Sequence, residues 1–295
     1  MKKFNFSKVA LVLGAAAILS SFVSCHKAEK KSQANDKEIL VVSFGTSYNS
    51  SRDLTIGGIE NAIAENFPEY KVARAFTADT IINILKEREN LIIDNVDEAL
   101  VRAANDGVKT LIVQPTHLMN GFEYTDLQKT LSKYESKFDK VVLSKPLLTS
   151  DEDFSLVADE IAAKTKAYDN GETAICFMGH GTEAASNAVY AKMQTVLSSK
   201  GFSNYYVGTV EAKPDVEDLL NAINAKGSYK KVLLLPLMVV AGDHANNDMA
   251  GDEEDSWKSI FKAAGYEVEC VLEGLGQDEK IQQIYVKHTE AAIAE

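Results

Sequence analysis

The chain has 295 residues, 45% of them apolar and 25% charged, with a formal net charge of −12. That length holds one large or two ordinary globular domains, with a core that needs no disulfide staples. A chain this acidic is a poor match for a phosphate backbone, so nucleic acid is excluded as a partner.

The first 24 residues stand apart. Lys2, Lys3 and Lys8 precede an apolar run, Val9 to Leu19, that is short for a bilayer span, and Ser20, Ser21 and Ser24 lead to Cys25. This is the pattern of a secretory signal, and Ser24-Cys25 resembles the end of a bacterial lipoprotein cleavage box, with Phe22 where that box usually has leucine. A plain signal peptide or an uncleaved anchor is the alternative. The expectation is an exported, periplasmic, membrane-anchored lipoprotein. Residues 1–24 are the signal; the lipid-bearing Cys25 and a polar tether, HKAEKKSQANDK, run to 37.

From there short apolar runs alternate with amphipathic stretches. EILVVSF (38–44) reads as a buried strand, followed by a helix with Ile56, Ile59, Ile63 and Phe67 on one face and Pro68 as its stop. YKVARAF (70–76) is a strand; Ile81, Ile82 and Leu85 mark one helix, and Val96, Leu100 and Ala103 another, closed by Gly107. KTLIVQP (109–115) is a strand, Leu127 and Leu131 sit on a helix, and KVVLS (140–144) is a strand. The order then restarts: a helix with Phe154, Val157 and Ile161, the strand TAICFM (173–178), and a helix with Val189, Met193 and Val196. NYYVGTV (204–210), the start of KKVLLLPLMVV (230–240) and EVECVL (267–272) complete the strands. Helices carry Val216, Leu219 and Ile223, then Trp257, Ile260 and Phe261, then Ile281, Ile284 and Tyr285.

Continuous Val/Ile/Leu strands separated by helices predict parallel sheets covered on both faces. The expected fold is α/β: two similar doubly wound halves, 38–150 and 151–295, each with a four-stranded parallel sheet, and a cleft between them. The halves read as a duplication. SFGTS (43–47) lies against FMGHG (177–181), which sets Thr46 opposite His180 and Thr77 opposite Glu211. QPTHLMNGFE (114–123) lies against LPLMVVAGDH (235–244), which sets Glu123 opposite His244.

Ligands of open α/β sheets bind outside the carboxyl ends of the strands. The second half carries His180, Glu211 and His244 at three such ends. Two imidazoles and a carboxylate suit a borderline divalent metal such as cobalt, iron, nickel or zinc, and they also move protons near neutral pH. Each residue taken singly also reads as a strand cap, a solvated acid or a turn former. Only the second half carries the set, which a scaffold role does not explain. His117 lies at a strand end beside the cleft, as a lining residue or a rim residue; His288 reads as a solvated helix residue. No Walker loop, Gly-x-Gly-x-x-Gly or Gly-x-Ser-x-Gly occurs. A histidine-phosphatase reading of Gly-His-Gly needs neighbouring arginines, and all four (Arg52, Arg74, Arg88, Arg102) precede residue 103. The run Asp252 to Asp255 favours the start of the helix after it. Cys176 and Cys270 read as buried thiols, with a disulfide between them as the alternative.

The segments SFGTS, AFTAD, QPTHLMNGFEYTDL, MGHGTE, GTVEAKP and LPLMVVAGDHANNDMAGDEEDSWK stand in the order found in the anaerobic, sirohydrochlorin-type cobalt chelatases, which the chain resembles over residues 38–290. The resemblance implies a class II, ferrochelatase-like fold with a tetrapyrrole cleft. It also implies nucleotide-independent insertion of a divalent metal, Co²⁺ foremost and Fe²⁺ or Ni²⁺ as alternatives, into a sirohydrochlorin-type ring in cobalamin synthesis. His180, Glu211 and His244 match the family's metal ligands, and His180 also its proton acceptor. Thr46, Ser47 and His117 are the candidates for the tetrapyrrole cleft, and Lys213 for a substrate carboxylate. The departure is the export signal, since cobalamin synthesis belongs in the cytoplasm. The competing expectation is an exported carrier that holds a tetrapyrrole or metal without turnover. A homo-oligomer is left open.

Overall fold

The computed structural model describes residues 36–295. The signal and the Cys25 anchor lie outside the described residues. In chain order the elements are β1 (Lys37–Ser43), α1 (Asn49–Leu54), α2 (Ile56–Asn66), β2 (Lys71–Phe76), α3 (Asp79–Glu89), α4 (Val96–Asn105), β3 (Thr110–Pro115), α5 (Phe122–Ser132), β4 (Lys140–Leu143), α6 (Asp151–Thr165), β5 (Thr173–Gly179), α7 (Ala188–Ser199), β6 (Tyr205–Thr209), α8 (Val216–Lys226), β7 (Lys231–Pro236), α9 (Trp257–Ala263), β8 (Glu267–Cys270) and α10 (Glu279–Ala294). Each predicted strand is present to within a residue or two, except that the seventh stops at Pro236, which has no N–H to donate.

The strands form two parallel sheets with the same order, β2-β1-β3-β4 and β6-β5-β7-β8. The alternation along β1 shows why both faces are apolar. Ile39 and Val41 enter a central core, whereas Leu40 and Val42 pack under Ala99, Leu100 and Ala103 of α4. In β5, Ile175 and Phe177 join that same central core, while Ala174, Cys176 and Met178 pack with Leu219, Ile223, Trp257 and Phe261. The inner faces of both sheets thus share one continuous hydrophobic layer, filled by residues of α2, α6, α7 and α10.

Helix α10 closes the chain over the first sheet. The Tyr285 hydroxyl donates to the Thr116 carbonyl at 2.9 Å, Thr289 Oγ1 donates to Gln114 Oε1 at 2.9 Å, and Lys140 Nζ donates to the Ile293 carbonyl at 2.9 Å. His288, expected to be solvated, instead lies against buried Asp153, with Nε2 3.1 Å from Oδ1. An i, i+3, i+4 stripe says that a helix buries one face; it does not say against which sheet.

The sheets correct the register of the duplication. Val42 pairs with Pro115 and Met178 with Pro236, and the amides of Thr116 and Leu237 donate to the carbonyls of Val42 and Met178, each at 2.8 Å. At the neighbouring strand end the Ala78 amide donates to the Phe44 carbonyl and the Glu211 amide to the His180 carbonyl. The counterpart of His180 is therefore Phe44, not Thr46, and that of Glu211 is Ala78, not Thr77. Gly45 and Gly181 are the equivalent glycines, with φ of +99° and +89°. The third station stands: Thr125 and Asn246 bond Gly121 and Gly242 alike, so Glu123 faces His244.

Cys176 and Cys270 are free thiols, and burial pushes Cys176 far above the usual thiol range. Among the described residues no helix is long and apolar enough to cross a membrane.

Candidate metal and tetrapyrrole site

Three backbone junctions at the carboxyl end of the second sheet aim the donors. His180 follows β5 between two glycines, each with its own reason. A Cβ at Gly179 would lie 2.1 Å from Tyr190 Cε1. At Gly181 the left-handed φ favours glycine, and a Cβ would lie 2.8 Å from the Ala212 nitrogen. The Gly181 amide also donates to the Tyr190 hydroxyl at 3.3 Å. The loop is thus packed down, and the His180 side chain is left turned outward. The Glu211 amide, beyond β6, donates to the His180 carbonyl at 2.8 Å, which sets the carboxylate beside the imidazole: Oε2 is 3.5 Å from Nδ1. His244 follows the β7 loop and opens a π-helical turn, Ala245–Met249. Such turns are rare and often sit at functional sites.

The donor atoms of His180, Glu211 and His244 lie within 4.8 Å of one another. The two imidazoles meet edge to face, with centroids 4.6 Å apart. His180 Nδ1 lies 2.8 Å from the Gly181 carbonyl and His244 Nδ1 2.8 Å from Asp248 Oδ2. A carbonyl and a carboxylate accept hydrogen bonds, so both contacts place a hydrogen on Nδ1, and in that tautomer of the neutral ring Nε2 is the atom that offers a lone pair. Asp248 stands where an outer partner would orient His244 if it binds a metal. Sequence reasoning missed it, although its i, i+4 spacing from His244 was a usable signal.

The triad opens into a cleft of about 530 Å³ lined from both halves. Thr46, Ser47 and His117 line its first-half side, with Phe44, Phe122 and Glu123. Phe44 and Phe122 are 50% and 58% exposed, unusual for so large an apolar ring. Thr46 is buried, its Oγ1 accepting from the Tyr48 amide at 3.2 Å. The Ala241 amide donates to Ser51 Oγ at 3.0 Å and ties the two halves together. Both ring nitrogens of His117 are buried without a hydrogen-bond partner, and burial pushes its protonation down to about 4 against the opposing pull of Glu123. Lys213 does not line the cleft; it pairs with Asp215 at 2.6 Å and Asp218 at 3.1 Å. Asp252 is held by Lys258 at 2.7 Å, and the cap of α9 is Ser256.

The cobalt chelatase (CbiK) family model matches residues 37–294. The sirohydrochlorin cobaltochelatase of Salmonella typhimurium is 35% identical over 257 residues, covering 87% of this chain and 96% of the relative. Sirohydrochlorin cobaltochelatase CbiKC of Nitratidesulfovibrio vulgaris is 29% identical over 260 residues, covering 88% and 91%. In fold the chain is similar to SirB from Bacillus subtilis, solved with Fe³⁺, at a TM-score of 0.59 and 11% identity, over 88% of this chain and 96% of SirB. It is also similar to CbiX, described as the terminal enzyme of sirohaem biosynthesis in denitrifying bacteria, at 0.54 and 13%, over 87% and 99%. With a family match across nearly all of the described residues, this chain belongs to the cobalt chelatase family.

Proposed function

We propose that the protein is a sirohydrochlorin cobaltochelatase, inserting Co²⁺ into a sirohydrochlorin-type tetrapyrrole without a nucleotide. The observation that carries this reading is the convergence of His180, Glu211 and His244 on one wall of a cleft large enough for a flat ring. The family membership supports it over a carrier without turnover.

The chemistry follows from the donors. Two neutral imidazole Nε2 atoms and one carboxylate match the preference of cobalt and its neighbours. The triad takes the metal, itself a substrate, from water and presents it to the ring. The side chains stay partly open, His180 at 45% exposed and Glu211 at 54%, so hydrated metal reaches them directly. Four carboxylates line the cleft (Glu123, Glu183, Glu211, Asp243), with no lysine or arginine among the described lining residues. That charge draws a divalent cation in and turns a polycarboxylate ring edge-outward, its carboxylates toward solvent. Phe44 and Phe122 offer the apolar surface for the ring's flat face. All three donors come from one chain, so this chemistry asks for no second copy.

The decisive assay mixes purified protein, sirohydrochlorin and Co²⁺ and follows the change in the ring's absorbance. A rate well above the spontaneous one is expected. Tight ring binding with no such rate would instead establish a carrier. Repetition with Fe²⁺ and Ni²⁺ ranks the metals.

The export reading rests on the signal-like pattern of residues 1–25 alone. In this reading the enzyme works outside the inner membrane, on metal and tetrapyrrole found there. Cys25→Ala is expected to move the protein from the membrane fraction to the soluble one; an unchanged distribution refutes the lipid anchor.

A further inference from the structure

We propose that His117 is a second proton acceptor of metal insertion, working from the first-half wall of the cleft. The proposal rests on the insertion reading above and adds a residue to it.

The reaction releases two protons, one from each of two pyrrole N–H groups. At each, the N–H bond breaks, its electron pair goes to the metal, and the proton needs a base. The triad supplies one acceptor at most. Nδ1 of His244 is committed to Asp248, and its Nε2 and the Glu211 carboxylate are committed to the metal. Nδ1 of His180 is committed to the Gly181 carbonyl, so only its Nε2 takes a proton, and only once it has let the metal go. While the triad still holds the metal the second proton has to go elsewhere, and His117 is the imidazole that the cleft offers for it beside the carboxylates Glu123, Glu183 and Asp243.

His117 has the attributes of that base. It lines the cleft on the loop after β3, and both ring nitrogens are buried with no partner in the protein. Buried polar groups in native proteins are nearly always paired, so two covered, unpaired nitrogens on a residue that lines the cleft mark a side chain kept for a ligand. A neutral imidazole offers one donor and one acceptor, and the centre of a metal-free tetrapyrrole offers N–H donors and imine-type acceptors. The scaffold does not explain the residue. His117 and its counterpart Met238 make the same backbone contact, accepting from the amides of Leu147 and Leu275 at 3.0 and 2.9 Å, so the backbone role is filled by either side chain. Burial keeps the imidazole unprotonated at neutral pH, and Glu123, on the exposed first turn of α5, is the charge that favours the imidazolium once formed.

The test compares wild type, His117→Ala and His117→Asn in the cobalt insertion assay, with Co²⁺ binding, ring binding and melting temperature measured on each. Removal of a general base slows the chemical step by about 10²-fold or more. The expected result is such a fall in kcat for both variants, with Co²⁺ and ring affinities within about two-fold of wild type. Added imidazole is expected to restore part of the rate of His117→Ala, which a structural role would not allow. Should His117→Ala melt early, His117→Asn decides, since it keeps a polar side chain but accepts no proton. A wild-type kcat in either folded variant overturns the proposal. So does a loss carried by ring affinity alone without imidazole rescue, which makes His117 an anchor. Failure of the insertion reading itself shows differently, as no rate in wild type, and removes this proposal with it.

Discussion

Asp248 should tune the affinity of the triad for metal. Its Oδ2 lies 2.8 Å from His244 Nδ1, and the two side chains are 45% and 31% exposed. Asp248→Ala removes the acceptor that fixes the tautomer, so Nε2 is no longer held as a free lone pair and the ring gains rotational freedom. Loss of such an outer partner costs about 10–100-fold in metal affinity. With Asp248 nearly half exposed, water replaces part of the bond and screens its charge, so the expectation is the low end, about tenfold or roughly 1.4 kcal/mol. Asp248→Asn keeps an acceptor oxygen without the charge and should fall between. The assay is titration of purified protein with Co²⁺ against a competing chelator. An Asp248→Ala affinity within about two-fold of wild type would refute the role of Asp248, because loss of the bond is expected to cost about tenfold.

Gly179→Ala places a methyl 2.1 Å from Tyr190 Cε1 and is expected to cost about 1–3 kcal/mol by overpacking, read as a lower melting temperature; unchanged melting would contradict the packing assigned to this loop. Asp153 gives the pH dependence. Burial works to raise its carboxyl, but hydrogen bonds from Ser150 and the nearby His288 more than offset this, and it ends below the usual carboxylate range. A depressed folded value means that its stabilisation is complete above the unfolded value, about pH 4, and fades as pH falls through the folded one. Asp153→Asn should flatten that acid limb in urea unfolding; an identical pH profile would count against the assignment.

Strand positions were legible because the sheets are buried on both faces, which forces runs such as ILVV and VLLLP. The three donors were legible because the carboxyl ends of parallel strands collect ligands, whatever the details of packing. The register of the duplication was misread for a physical reason. Glycines were matched by identity, Gly45 to Gly179, whereas the backbone equates Gly45 with Gly181 through their shared left-handed φ. Gly179 is glycine for a different cause, the Tyr190 ring. The corrected alignment bears on the proposed site: where one half has His180 and Glu211, the other has Phe44 and Ala78, so two of the three triad positions have no donor in the first half. Placement of α10 on the first sheet was not legible, since amphipathicity carries no address. Nor were the orphaned nitrogens of His117, which depend on what the surrounding loops fail to offer.

The central claim is that one wall of the cleft holds the metal. It is tested most directly by anomalous diffraction at the cobalt edge from crystals grown with Co²⁺. The account predicts a peak about 2.0–2.2 Å from Nε2 of His180, Nε2 of His244 and a carboxylate oxygen of Glu211. A cobalt peak on Asp252–Asp255, or none at the triad under saturating metal, would contradict it.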